Sequence, residues 1–531
     1  MKEIKLLKFE DLTVEQKLGM VSCGYVLMDS DWEDFDSNLE YTLDAIRNHR
    51  LGSVWMSPGT KSFKYAIEKI KEAADYPILI FTDAESGIGQ YMIGKHNALG
   101  STDNEEYAYA FGKVVGVTAR NMGYNIVCNP VLDAFVGARF LGTDKEKVTK
   151  LGAAIARGLH DAGILNVAKH YPSAGSDIGV DSHMSASISF KTEEELIEKG
   201  LYPYIELNKQ GLIDGIMTGH VRMDKIDPGM PASLSRKVID VIKNQGFEGF
   251  FVTDCLRMMG VMSDFGEVDP KGMCIEAGNA VALDWDYTKR AYDAMVDCYN
   301  RGLLTDERLD EAVKKILETQ EKVFNLPEVA EITAEDIEKF NSINKDSVFA
   351  QVDEGVPVAL SRDGKHFFAI MVENGSTVKD DGKVTVDTFS TKWFNPNHVQ
   401  ERLLELFPNS KCHFIDQFPS PHQNMMLLND AMGCDDYVFL TFTDKKAYSG
   451  LDRFTSRLLT VMTACLLNAS TKGQTASVVH FGTATVLEDL PNHFPRVIIG
   501  GQSPDCVDCT LDVLAGLHEA KGHLTYNVNL K

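Results

Sequence analysis

From about residue 50 onward, short apolar runs alternate with longer segments whose apolar positions recur every three or four residues. The runs at 53–56, 77–82, 124–131, 165–169, 215–218, 250–253 and 280–283 predict strands. Several are apolar almost throughout, as parallel strands covered on both faces must be. Between them, 104–122, 145–162, 193–210 and 235–244 have helical spacing, with 193–210 broken at Pro203. Alternation of this kind calls for parallel strands joined by helical crossovers. Six or seven such units in succession predict an α/β fold of the (β/α)8 TIM-barrel type, with room for an irregular or missing unit. An open doubly wound sheet has the same alternation and would also gather its strand ends on one edge.

Two helical segments, 306–324 and 334–349, interrupt this pattern, and then it restarts. Strands are expected at 367–372, 437–442, 477–481 and 496–499, helices at 399–407, 454–467 and 511–517, and a closing strand at 522–528. The expected organisation is a catalytic barrel over 1–325, a linker and helix over 326–349, and a smaller α/β sandwich over 350–531. A chain of 531 residues exceeds what one hydrophobic core accommodates, so two domains are expected on length alone.

Composition narrows the function. The net charge of −24, from 53 basic and 77 acidic residues, argues against a nucleic-acid or anionic-membrane surface. Ten cysteines in a chain this long are too few for a disulfide scaffold, and Cys128, Cys255 and Cys465 sit in apolar runs, which fits a reducing cytoplasm. Cys506 and Cys509 have metal-binding spacing, but no second pair accompanies them and no metal is expected there. The N-terminal residues mix acids with bases and lack a long apolar core, so neither a secretion signal nor a membrane span is expected.

The candidate chemistry lies at strand ends: Asp83, Glu85, Asp133, Lys169, His170, His220 and Asp254. In a barrel all of these converge on one face. The triplet Asp181-Ser182-His183 follows the strand at 165–169, and an aspartate two residues before a histidine can orient its imidazole for proton transfer. Asp254 follows Phe250, Phe251 and Val252, where a carboxylate can be a nucleophile, a metal ligand or a helix cap. Together they suit double displacement at an acetal: one carboxylate attacks carbon and a separate imidazole protonates the leaving group. On this scheme Asp83, Arg139, Lys169 and His170 would bind sugar hydroxyls or an amide carbonyl. His220 is read equally as a core histidine or a substrate contact, and Met258 as packing beneath the pocket. Asp133 is read as a cap or a partner of Arg139. Trp55, Trp285 and Trp393 are candidate stacking platforms, with a core role favoured for Trp55.

The order of these residues resembles glycoside hydrolase family 3, in particular its β-N-acetylglucosaminidase branch with a His–Asp acid/base dyad. Asp83-Ala-Glu-Ser-Gly resembles that family's Asp-x-Glu-Gly-Gly; Asn129-Pro-Val-Leu-Asp133 and Arg139-Phe-Leu-Gly resemble Pro-Val-x-Asp and Arg-Ser-Phe-Gly. Lys169-His-Tyr-Pro resembles Lys-His-Phe-Pro, and Asp181-Ser-His183 matches outright. Met217-Thr-Gly-His220, Pro231-Ala-Ser-Leu-Ser235 and Thr253-Asp-Cys-Leu-Arg-Met258 resemble further elements in the same order. The resemblance implies that Asp254 is the nucleophile, His183 the acid and then base, and Asp181 its orienting partner. Asp83, Arg139, Lys169, His170, His220 and Met258 would form the sugar site, with no cofactor and no metal.

The implied activity is exo-acting, retaining release of terminal β-linked N-acetylglucosamine from small soluble glycosides such as cell-wall or chitin fragments. Alternatives are a phosphorylase using phosphate as acceptor, an N-acetylgalactosaminidase, a β-glucosidase, or a sugar-binding protein on the same scaffold. Three departures from the family pattern bear on specificity. Ser173-Ala-Gly175 replaces Gly-His-Gly, in a loop one residue longer than the branch leads one to expect. Ile88 and Tyr91 stand where arginines usually follow, and Ala280 stands at a usual aspartate.

Overall fold

A computed structural model describes residues 4–26, 35–57, 63–178, 181–372, 374–378, 384–388, 394–443, 453–490 and 493–530. They fall into two compact units. Unit one comprises Met1–Tyr91, Ala108–Phe135 and Asp144–Glu338, and unit two Met92–Tyr107, Val136–Thr143 and Lys339–Lys531. Two short stretches from the first third of the chain therefore belong with the C-terminal part.

Unit one is a barrel of eight parallel strands: β1 Ser22–Tyr25, β2 Ser53–Trp55, β3 Leu79–Asp83, β4 Ile126–Cys128, β5 Leu165–Tyr171, β6 Gly215–Thr218, β7 Phe250–Thr253 and β8 Ala282–Leu283. They pair in chain order around the ring, and β8 returns to β1. The remaining seam, β7 to β8, closes through the single bridge Val252–Val281 and the bond from Ala280 N–H to Phe251 O at 2.8 Å. This two-residue final strand is the irregular unit. The first strand, β1, went unforeseen because Ser22-Cys-Gly-Tyr25 has neither an apolar run nor a β-branched residue.

Backbone contact at glycines sets the spacing of the outer helices. A Cβ on Gly158, in the helix Lys145–Asp161, would lie 2.2 Å from Tyr109 O of the helix Glu105–Met122. A Cβ on Gly112 of that helix would lie 2.2 Å from Ile155 O. The predicted break at Pro203 is present: Pro203 sits in the first turn of Tyr202–Lys209, where its missing N–H costs nothing.

Unit two contains a six-stranded sheet: β9 Phe349–Val352, β10 His366–Val372, β11 Lys411–Asp416, β12 Asp436–Phe442, β13 Thr475–Phe481 and β14 Arg496–Gly500. Its spatial order is β9-β14-β13-β12-β10-β11, parallel except for the antiparallel edge β9. Successive residues of β10 enter opposite cores. Phe367, Ala369 and Met371 join one cluster, Phe368 and Ile370 the other, so both sheet faces are covered. The expected closing strand at 522–528 is absent; this segment is irregular backbone. Its bonds run from Gly522 N–H to Val348 O and from His523 N–H to Ser101 O in the helix His96–Thr102, both at 2.9 Å, rather than to a sheet edge. Among the described residues no helix is long and apolar enough to cross a membrane.

Gly158→Ala should force the two helices apart. We expect overpacking to cost about 1–3 kcal/mol and a thermal melt to show a lowered Tm; an unchanged Tm would contradict the close crossing.

Candidate active site

Because all eight strands are parallel, their carboxyl ends form one mouth. Asp83 ends β3, Lys169 and His170 lie in the last half of β5, and Asp254 and Asp284 directly follow β7 and β8. His220 lies two residues beyond β6. Chain positions as far apart as Asp83 and Asp284 thus meet at one rim.

Lys169 is the most deeply placed of these groups, with only 1 % of its side chain exposed. Its ammonium bonds the Asp83 carboxylate and lies 2.6 Å from Glu85 Oε1. One cation therefore serves two anions, and a third, Asp254, acts on the same group. Burial raises the Asp83 pKa above the ordinary carboxylate value, Lys169 opposes that rise, and the charges of Glu85 and Asp254 add to it.

Two histidines share one arrangement. His170 Nδ1 lies 2.7 Å from Asp133 Oδ2, which also accepts the His170 backbone N–H at 3.0 Å. His183 Nδ1 lies 2.7 Å from Asp181 Oδ1, which accepts the His183 backbone N–H at 3.0 Å. A carboxylate at Nδ1 fixes that nitrogen as the donor and orients the ring. Asp133, read from sequence as a cap or a partner of Arg139, is the orienting acid of His170.

The loop carrying Asp181 and His183 is anchored at both ends. On one side Asp177 N–H and Ile178 N–H donate to Ile188 O at 2.7 and 3.1 Å. On the other, Ser182 O accepts from Gly260 N–H at 2.8 Å and His183 O from Met259 N–H at 3.3 Å. Met259 and Gly260 open the helix Met259–Phe265, five residues after Asp254. Gly260 permits the approach, since a Cβ there would meet Ser182 O at 3.0 Å. The longer loop is therefore held against the segment that follows Asp254. Gly179 and Val180 within it lie outside the described residues.

Asp254 accepts the Cys255 N–H on Oδ1 at 2.7 Å. Burial alone would raise its pKa. His170 and His220 in their charged forms, the Cys255 N–H and Lys169 outweigh burial and hold it below the ordinary carboxylate value. A carboxylate so placed keeps its charge and remains available as a nucleophile. His220 is buried, its Nδ1 2.9 Å from Ser233 Oγ and its Nε2 2.9 Å from Cys255 O. The carbonyl requires Nε2 to be the donor, so Nδ1 accepts from the serine. Burial lowers the His220 pKa, and Asp254, His183 and His170 all act on its charge. With both nitrogens engaged, contact between His220 and sugar would mean giving up one of these bonds. Its position supports the Asp254 loop. Met258 is buried where that loop meets the helix.

Other expectations fall differently. Arg139 is partly buried in Val136–Thr143, a stretch that belongs with unit two. Trp55 is buried and stacks on Phe81 at 6.5 Å, a core role. Trp285 is 41 % exposed, 6.2 Å from the ring of Tyr25, and Trp393 lies outside the described residues. Cys506 is buried in the helix Pro504–Leu514, its sulfur accepting from Gly501 N–H at 3.1 Å. No group of acids, histidines and cysteines among the described residues has metal-binding geometry. One cluster went unforeseen: Lys271 Nζ lies 2.7 Å from Asp284 Oδ2, and Arg257 Nη1 lies 3.1 Å from Asp286 Oδ2. These pairs link the helix Asp269–Ala277 and the Asp254 loop to the tip of β8, and neither partner has a sequence signal beyond its charge.

Comparison with known proteins agrees with this geometry. Residues 2–319 match the family model "Glycosyl hydrolase family 3 N terminal domain". A β-N-acetylglucosaminidase/β-glucosidase of Cellulomonas fimi is 26 % identical over 328 residues, covering 57 % of this chain and 56 % of that protein. A β-hexosaminidase of Mycobacterium tuberculosis is 30 % identical over 218 residues, covering 38 % and 55 %. The chain thus spans little more than half the length of these relatives. Among solved structures, a family 3 β-N-acetylglucosaminidase of Paenibacillus superposes with TM-score 0.79 at 21 % identity, over 98 % of this chain and 100 % of that one. A β-glucoside phosphorylase superposes with TM-score 0.80 at 19 % identity, over 98 % and 95 %. Since the family model covers well over half of the 531 residues, and all the strand tips that carry Asp83, Lys169, His170 and Asp254, the chain belongs to glycosyl hydrolase family 3.

Proposed function

We propose that this protein is an exo-acting, retaining glycosidase that releases terminal β-linked N-acetylglucosamine from small soluble glycosides. The observation that carries this reading is the anchoring of the Asp181–His183 loop, through Ser182 O and His183 O, on the helix that follows Asp254. It supports the reading in which His183 is the proton donor and Asp254 the nucleophile of one site. The names of the Cellulomonas and Paenibacillus relatives support the choice of sugar. Ten free thiols suit a reducing compartment, so the proposed location is cytoplasmic.

In this scheme the Asp254 oxygen not held by Cys255 attacks the anomeric carbon. The bond to the leaving oxygen breaks as His183 Nε2 gives that oxygen a proton, and a glycosyl ester on Asp254 remains. Water then attacks the same carbon, His183 takes its proton, and Asp254 leaves as carboxylate. Asp181 stabilises the imidazolium whenever it forms. Asp83, Lys169 and His170 bind the sugar.

A phosphorylase is the second reading, favoured by the imidazole itself. A glutamate acid is left anionic after the first step and repels an incoming anion; neutral His183 does not. Phosphate in place of water would release a sugar 1-phosphate. The β-glucoside phosphorylase that superposes on this chain supports keeping this reading.

A panel of aryl β-glycosides of N-acetylglucosamine, N-acetylgalactosamine and glucose, with and without phosphate, tests both readings. We expect hydrolysis of the N-acetylglucosaminide; sugar 1-phosphate formation would favour the phosphorylase, and no turnover of any member would refute both. Asp254→Ala should fall below about one ten-thousandth of wild-type kcat with the fold intact by circular dichroism. His183→Ala should lose about 100-fold or more on alkyl glycosides and much less on aryl glycosides with acidic leaving groups. Equal losses on the two classes would remove His183 as the proton donor.

A further inference from the structure

We infer that Met184 and Met259 form an apolar leaving-group subsite beside His183, and that the preferred aglycone is a hydrophobic alkyl or aryl group. This rests on the glycosidase reading above and adds to it the chemistry of the group released.

Backbone hydrogen bonds hold the two methionines close to His183. Met184 N–H and Ser185 N–H both donate to Asp181 O, at 2.9 and 3.1 Å, so 181–185 forms one tight turn with Met184 directly beyond the dyad histidine. Met259 N–H donates to His183 O at 3.3 Å, which sets the backbone of Met259, from the neighbouring helix, against the residue that precedes Met184. The contact is close because Gly260, next in the chain, has no side chain to hold the loop away from Ser182.

Both side chains face outward. Met184 is 48 % exposed and Met259 38 % exposed, whereas Met258, between Arg257 and Met259, is 1 % exposed. Core packing therefore does not account for either of them. Isolated exposed apolar residues are ordinary on a protein surface; two on separate elements, both joined to the backbone of the proton-donating residue, make a local apolar surface. Its place decides the occupant. The leaving oxygen must sit within hydrogen-bond reach of His183 Nε2 for protonation. Whatever that oxygen carries must then extend past the residues that flank His183. Methionine is unbranched and polarisable, and adapts to flat aromatic or flexible alkyl groups alike.

Methyl and octyl β-glycosides of N-acetylglucosamine and of glucose test this, because the two alcohols differ little in acidity and chiefly in apolar surface. For wild type we expect kcat/KM for octyl to exceed that for methyl by about tenfold or more, the scale at which apolar pockets discriminate. In the double variant Met184→Ser, Met259→Ser this ratio should collapse toward one, and each single variant should lose part of it. A wild-type ratio near one overturns the subsite, as does a ratio that survives in the double variant. If wild type turns over neither these nor the aryl panel, the glycosidase reading falls and the subsite with it; a flat ratio with good turnover removes the subsite alone.

Discussion

The site is organised around one buried ammonium. Lys169 lies at the carboxyl end of β5, almost fully enclosed, and binds Asp83 and Glu85 beyond the tip of the second strand over, β3. A lone charge in that position would be prohibitively costly, so the carboxylates are a condition of its burial. The arrangement has a consequence for the chemistry. Two anions share one cation and Asp254 adds a third, so the mouth carries surplus negative charge. The surplus is distributed unevenly. Asp83 takes the raised pKa, while Asp254, flanked by His170, His220 and the Cys255 N–H, keeps a lowered one. Two carboxylates at one rim are therefore pushed in opposite directions by their surroundings.

Around this centre the imidazoles are committed in different ways. His170 and His183 each have Nδ1 on an aspartate, which sets the tautomer. His220 has both nitrogens bound and steadies the Cys255 carbonyl, and through it the loop that carries Asp254. The same residue type thus stands in two oriented pairs and one brace. Hydrogen-bond partners assign the roles, and those partners come from four separate chain segments.

Much of this could be read along the chain. Strand runs such as 250–253 are mostly apolar, as parallel strands covered on both faces must be, and proved to be barrel strands. Pro203 marked a real break. The misses have physical causes. β1 carries a glycine and small residues because its pairing partners on both sides, β2 and β8, supply the ladder, so its own propensity is weak. The segment 522–528 has the composition of a strand, but its backbone groups bond to Val348 and to the helix residue Ser101, away from any sheet edge. Edge strands β9 and β11 are half-exposed and lack a continuous apolar run.

Local sequence was enough to fix two things: the alternation of elements, because burial on both faces dictates composition, and the Asp181–His183 pair, because two residues of separation bring a carboxylate to Nδ1 within a single turn. Tertiary structure alone decided the rest. Lys169 meets Glu85, His170 meets Asp133, and Lys271 meets Asp284 across separations of 84, 37 and 13 residues. Met259 reaches His183 only because Gly260 lets a loop dock on a helix. Charge and size are properties of a residue; the partner that gives them a role is a property of the closed barrel.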